Sequence, residues 1–316
     1  MLKISGRTMT VAFVALALWS APADAASSGR IAAAQAAQHR EVTDETGRHV
    51  MVPLDVRRIV SLAPNLTETI YALGAQDRLV GVTNYCDYPP DALKKTKIGT
   101  ALNPSLEAIV GLKPDLVLAT TTIDRLETVQ SLERLGISVY ATDPHTLEEI
   151  LVSIRDVGNV IGTPKQGDAL AASLASRLAQ IKTRLAGSTL RRILFVVWEK
   201  PLITMGKNTF LADAVRWAGG ESIFDLTQNW PPVSLEETVR LQPDALVFAS
   251  GDPQNSEKEF TNLSKEPGWR AMHAVEQRHI ITVSDAIARP APRLIDAIEE
   301  LARALHPDAF ATDAAK

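Results

Sequence analysis

The sequence predicts an α/β protein of two similar lobes joined by one long α-helix, and two observations carry that prediction. The first is a phrase used twice. Ser105-Leu106-Glu107, running on to Val110, Leu112, Pro114 and Asp115, returns as Ser234-Leu235-Glu236 with Val239, Leu241, Pro243 and Asp244, an offset of 129 residues. Each copy reads as a short helix opened by a Ser cap and stopped by Pro, followed by an apolar strand, Leu116 to Ala119 or Ala245 to Ala249. Repeats of roughly 20 to 50 residues indicate solenoids, whereas one recurrence at this spacing indicates two lobes with separate cores and a cleft between them. The second observation is that strand and helix patterns alternate on both sides of an Ala-rich stretch, which calls for parallel sheets covered on both faces.

Taken in order, residues 1–25 have the pattern of a secretory signal. Lys3 and Arg7 precede the apolar run Met9 to Trp19, and Ala23-Asp24-Ala25 offers a cleavage site. The run is shorter than the roughly 20 residues that span a bilayer, and no Cys near the site offers a lipid anchor. Residues 26–56 are a leader and N-terminal extension, with 26–40 rich in Ala, Ser and Gln and expected to be mobile. The first lobe, 57–160, carries strands Ile59–Leu62, Leu79–Val82, Leu116–Ala119 and Ser138–Ala141. Its helices are expected at Thr67–Leu73, from Ser105, near Arg125–Leu135 and at Leu147–Ile161. In the connecting helix, 161–187, Leu170, Leu174, Leu178, Ile181 and Leu185 recur at helical spacing, and about 20 residues reach about 30 Å. The second lobe, 188–310, carries strand Ile193–Val197, helix Phe210–Ala218, the second repeat unit, strand Ile280–Val283 and helix Pro292–Leu305, before a tail at 311–316.

Of the 316 residues 46% are hydrophobic, enough for two sizeable cores. The net charge of −4 without a basic block argues against nucleic acid, and no later segment suits a membrane span. The single cysteine, Cys86, has no partner within one chain, so packing must supply the stability. No zinc-protease, nucleophile-elbow or complete phosphate-loop motif occurs. Gly206-Lys207-Asn208 lacks the upstream Gly and terminal Ser or Thr of a phosphate loop, and the six His are scattered without ligand spacing. Neither a catalytic residue, a metal ligand nor a cofactor is expected.

The aromatic residues are few, at 5%, but fall in loops after strands, where ligands bind parallel sheets. Tyr85 and Tyr88 flank Cys86-Asp87, Trp198 continues the strand Ile193–Val197, and Trp230 precedes Pro231-Pro232. Each ring either packs at a lobe edge or forms a flat wall for a large ring-shaped ligand. Asp285, Arg289 and Arg293 follow the last strand. They either bond amide or carboxylate groups of a ligand or serve structure, Arg293 by pairing with Asp296 or with the neighbouring lobe. Glu107 and Glu236 stand in the first turns of the repeated helices. They either complement the helix dipole or form a matched pair of charges, one per lobe, for a two-fold partner.

In these features the chain resembles the helical-backbone periplasmic binding proteins of ATP-driven importers, the group that carries iron complexes, haem and vitamin B12. The resemblance runs through Asp44-Glu45-Thr46-Gly47-Arg48, Arg58 to Pro64 with Thr67-Glu68, both Ser-Leu-Glu units, the long helix and Ala218-Gly219-Gly220. It implies two Rossmann-like lobes with the ligand cleft between them. Asn84 to Pro90, Pro201 to Lys207, Trp230-Pro231 and Asp285 to Arg293 resemble the cobalamin-binding branch. By that resemblance Tyr85, Tyr88, Trp230, Asp285 and Arg289 line a corrinoid site, with Asp87 and the neighbouring Trp198 as further ligand-binding candidates, and Glu107 and Glu236 dock on a permease dimer that works with a cytoplasmic ATPase. The members of that branch carry further Trp residues where this chain has Ala101 and Thr120. The resemblance thus implies a monomeric, non-catalytic periplasmic receptor for cobalamin or a related corrinoid. A ferric siderophore or haem receptor is the nearest alternative, and a sensor or an exported enzyme on the same scaffold is a more distant one.

Overall fold

The computed structural model describes residues 38–121, 124, 126–250 and 255–313. The expected signal at 1–25 and most of the leader lie outside them. The compact body begins at Arg40. It opens with strands β1 (His39–Thr43) and β2 (His49–Pro53), which form a two-stranded sheet where the sequence suggested only an extension. Asp44 makes the turn between them. Its Oδ1 accepts from the backbone N–H of Thr46 and of Arg48, each at 3.0 Å. Alternation does the rest: Val50 and Val52 face inward and join the core, while His49 and Met51 face out. The Asp-Glu-Thr-Gly-Arg stretch is therefore a hairpin turn.

The first lobe follows, with β3 (Ile59–Ser61), α1 (Pro64–Ala72), β4 (Leu79–Val82), α2 (Leu106–Gly111), β5 (Leu116–Thr120), α3 (Leu126–Arg134) and β6 (Val139–Thr142). α1 starts three residues before Thr67 because Pro64, with its fixed φ and no N–H to leave unpaired, suits the first helical turn. Then come α4 (Leu147–Val160) and the long α5 (Pro164–Arg184). The second lobe holds β7 (Arg191–Val196), the short pair β8 (Trp198–Glu199) and β9 (Leu202–Ile203), α6 (Phe210–Trp217), β10 (Gly220–Ser222), α7 (Leu235–Leu241), β11 (Ala245–Ser250), α8 (Asn255–Leu263), α9 (His273–Glu276), β12 (Ile280–Ser284) and α10 (Leu294–Leu305). α10 begins after Pro292 rather than at it, and β10, β8 and β9 were too short to be expected.

The repeat is structural. The first sheet has the order β4-β3-β5-β6 and the second β10-β7-β11-β12, both parallel, so the same path is traced twice. Ser105 Oγ accepts from Ala108 N–H and Ser234 Oγ from Glu237 N–H, capping α2 and α7. After each Pro, an Asp ties the helix to the first strand of its own sheet. Asp115 Oδ2 accepts from Arg57 and Arg58 N–H at 2.8 Å, and Asp244 Oδ2 from Arg192 N–H at 2.8 Å. Arg58 and Arg192 then donate to the last helical carbonyls, Leu112 O at 2.7 Å and Leu241 O at 3.1 Å, which α2 and α7 leave unpaired.

The long helix is not a lone strut. α5 runs back along α4 after the turn at Gly162, and the two come close where Gly158 meets Gly167: a Cβ on Gly158 would sit 3.1 Å from the Gly167 Cα. The largest apolar cluster includes Ile70, Leu151 and Ile154 with Leu174, Leu178, Leu211 and Ile298, so this helix pair and α10 carry one core through both lobes.

Burial raises the Glu45 carboxyl from 4.5 to about 7, with Asp156 and Asp143 adding repulsion against hydrogen bonds from Ser153 and Asp143 N–H. The folded pKa lies above the unfolded one, so the stabilisation is complete below pH 4.5 and is lost as pH rises through 7. We expect Glu45→Gln to raise the melting temperature at pH 8 and to flatten its fall between pH 5 and pH 8. An unchanged slope in thermal melts across that range would contradict the assignment.

Candidate functional site

In both sheets the loops that follow the strands gather the candidate residues. After β4, the chain runs through Tyr85, Asp87 and Tyr88, with Cys86 buried beneath them between the hydroxyls of Thr67 and Thr83, each 3.2 Å from its sulfur. After β12, a 3₁₀ turn spans Asp285–Ala288, and Arg289 follows.

These two loops meet. Arg289 Nη1 donates to Asp87 Oδ1 at 2.7 Å and to Glu68 Oε1 at 2.9 Å, while Nη2 donates to Asp285 Oδ2 at 3.0 Å. Arg293 grips the same Glu68 through Nε and Nη2, both at 2.9 Å, and its guanidinium lies 3.5 Å from the centroid of the Tyr88 ring. The Glu68 side chain is 2% exposed. A carboxylate so buried is stable only when paired, and two guanidiniums from the other lobe pair it here. The hydrogen bond from Arg289 holds the Asp87 carboxyl below the usual range. Burial pulls the Arg289 pKa down, yet the Asp87 and Glu68 carboxylates outweigh it and keep the guanidinium firmly charged.

Asp87, Tyr88, Asp285 and Arg289 are thus brought together, and Arg293 pairs with the neighbouring lobe rather than with Asp296. Tyr85 stands on the same loop, 61% exposed. Trp198 and Trp230 form a separate group on the second lobe. Trp198 is 63% exposed and Trp230 37%, so Trp198 does not pack in the lobe as a continuation of β7; it opens β8 instead. Trp198 pairs with Ile203 of β9, and Ile203 bridges to Pro232, just after Trp230. Gly206 makes this possible. A Cβ there would lie 1.8 Å from Gln228 O, so only glycine lets the two backbones approach, and Gly206 N–H donates to Asn229 O at 2.8 Å. The Gly-Lys-Asn stretch therefore positions the Trp230 loop.

Between the lobes lies a cavity of about 280 Å³, lined by Pro64, Asn65 and Thr120 from the first lobe and Asp285, Ala288, Arg289 and Pro290 from the second. Glu107 and Glu236 are exposed in the first turns of α2 and α7. A helix that returns the chain between parallel strands runs against them, so both glutamates stand at the same ends of the sheets as the cleft loops. Neither takes part in an ion pair among the described residues, whereas the adjacent Glu237 is held by Arg240. No His, Cys, Asp and Glu cluster with metal-binding geometry occurs among the described residues. No described helix is long and apolar enough to cross a membrane.

Sequence reasoning missed the role of Glu68, which stands between Thr67 and Thr69 in a helix whose other residues include Leu66, Ile70 and Ala72.

The sequence profile of the periplasmic binding proteins matches residues 59–286, from the first strand of the first lobe to the turn after the last strand of the second. The chain belongs to this family. The vitamin B12-binding protein of Vibrio cholerae (strain O395) is 31% identical over 252 residues, covering 79% of this chain and 89% of that protein. The crystal structure of the periplasmic vitamin B12 binding protein BtuF of Vibrio cholerae matches the fold with a TM-score of 0.71 at 30% identity, over 81% of this chain and 98% of that one. An uncharacterised ABC transporter substrate-binding lipoprotein of Bacillus subtilis, YvrC, is 31% identical over 277 residues, 85% of this chain and 86% of its own. The periplasmic heme-binding protein RhuT of Roseiflexus sp. RS-1 matches with a TM-score of 0.70 at 27% identity, over 80% of this chain and 99% of that one. The two-lobed α/β architecture expected from the repeat is the architecture of these proteins.

Proposed function

We propose that this protein captures cobalamin or a related corrinoid in the cleft between its lobes and delivers it to an ABC importer. The observation that carries this reading is the set of aromatic rings held exposed at the carboxyl ends of both sheets. Tyr85 and Tyr88 belong to one lobe, and Trp198 and Trp230, whose segments both pair with β9 through Ile203, to the other. Exposed rings cost solvation free energy unless something covers them, and a corrin ring presents two broad apolar faces. The resemblance to vitamin B12-binding proteins over most of the chain supports the same ligand.

On this reading the protein is a receptor and not a catalyst, exported by cleavage of residues 1–25 and working in the periplasm as a monomer. Glu107 and Glu236 are the docking charges, one per lobe, that fit the two halves of a permease dimer. The cleft is tested by titrating cyanocobalamin into the mature protein and into Trp230→Ala. The substitution weakens binding by about 1 to 3 kcal/mol if the ring stacks on the ligand. Equal affinities remove Trp230 from the site.

A further inference from the structure

Of the polar groups around the cavity between the lobes, Arg289 is already engaged. Arg289 gives Nη1 to Asp87 and Glu68 and Nη2 to Asp87 and Asp285. Unspent hydrogen-bonding capacity lies instead on the opposite wall, at the end of β5. Thr120 lines the cavity and is 1% exposed, and its hydroxyl has no hydrogen-bond partner among the described residues. Beside it, Asp124 Oδ2 accepts from Thr120 N–H at 2.7 Å, while Asp124 Oδ1 is buried without a partner among the described residues. Buried polar groups are nearly always satisfied, and leaving one unpaired is costly. Thr120 in the cavity wall, and Asp124 hydrogen-bonded to its backbone, are therefore sites where a partner is missing from the free protein.

We propose that Thr120 and Asp124 form the subsite that selects an uncharged, hydrogen-bond-donating group on the ligand's rim, a primary amide, over a carboxylate. This rests on the corrinoid reading above and names the part of the ligand that decides specificity. The cavity's 280 Å³ lies just under the roughly 300 to 1,000 Å³ of sites that enclose whole small molecules, so it takes a side group and not a macrocycle. The chemistry of the wall sets the class. A primary amide donates to a carboxylate oxygen and accepts from a hydroxyl at once. A carboxylate on the ligand would face Asp285 in the lining, and Asp124 where it holds the Thr120 backbone would add repulsion, so it would accept where a donor is required. Burial pushes the Asp124 carboxyl up to about 7, against the hydrogen bond from Thr120 N–H, and a second negative charge beside it is still less tolerable. A corrinoid carries primary amides around its rim, whereas haem presents carboxylates there.

The test compares cyanocobalamin with its monocarboxylic acids, each made by hydrolysing one rim amide, on wild-type protein, Thr120→Val and Asp124→Asn by calorimetry at pH 8. Wild type should bind at least one of these acids about tenfold or more weakly than cyanocobalamin. Thr120→Val, which keeps the shape and drops the hydroxyl, should weaken cyanocobalamin about fivefold, and Asp124→Asn should shrink the gap between amide and acid. A readout without ligand separates this proposal from the corrinoid reading. Removing an unpaired buried hydroxyl should raise the melting temperature of free Thr120→Val by about 2 °C. If that variant melts lower, or if both variants keep wild-type affinity and discrimination, the subsite is refuted. If the melting shift is found but cyanocobalamin fails to bind wild type, the corrinoid reading falls and the amide assignment falls with it, leaving only the orphan hydroxyl.

Discussion

Replacing Glu107 and Glu236 together with Ala should abolish ligand uptake by cells while leaving ligand affinity unchanged. The two readings of these residues make opposite forecasts. As helix-dipole partners each contributes about 0.3 to 1 kcal/mol to an exposed helix end, so the double variant would be slightly less stable and would transport normally. As docking charges, each truncation leaves a cation on the partner unpaired, at about 2 to 5 kcal/mol, and two such losses reduce productive docking far more than tenfold. The geometry favours the second reading. Both side chains are exposed at matching positions of the two lobes and are free of ion pairs among the described residues, while Glu237, one residue on, is held by Arg240. Uptake by a strain carrying only the variant, measured beside calorimetry on the purified protein, decides it. Normal uptake contradicts docking.

Glu68→Gln should lower the unfolding free energy by about 3 kcal/mol, the scale for removing one partner of a buried ion pair. Arg289 keeps Asp87 and Asp285 after the change, but Arg293 is left over the Tyr88 ring without the carboxylate that held both its Nε and Nη2. Glu68 belongs to α1 of the first lobe and both arginines to the second, so the loss acts on the contact between lobes at the edge of the cleft. Urea unfolding measures it. A change below about 0.5 kcal/mol, as for ordinary surface substitutions, means the pair is not carrying the contact.

What could be read in the sequence was local, and what could not was distant. The duplicated αβ unit was legible because its Ser cap, its Pro and its Asp act within a few residues of one another. The two sheets of like strand order follow from that repetition. The pairing of Arg289 with Glu68 spans 221 residues, and nothing in either neighbourhood names the other. Arg289 could be placed near the cleft by its position after the last strand, yet not seen to be occupied by three carboxylates. The β1 and β2 pair was hidden because its turn is made by the Asp44 side chain, in a segment whose upstream neighbours are polar and Ala-rich. Val196 to Trp198 reads as one apolar run, yet β7 ends at Val196 and the chain turns there into the short β8 at Trp198. At Thr120, where the relatives' pattern has a ring, the structure has a buried hydroxyl without a partner among the described residues.

Calorimetric titration of the mature protein with cyanocobalamin, run in parallel with haemin and a ferric siderophore, decides which ligand the cleft takes. One-to-one cobalamin binding is expected with a dissociation constant below about 1 μM, a free energy beyond about −8 kcal/mol, and no comparable heat from the iron complexes. Tight binding of haemin or the siderophore with none of cobalamin would contradict it.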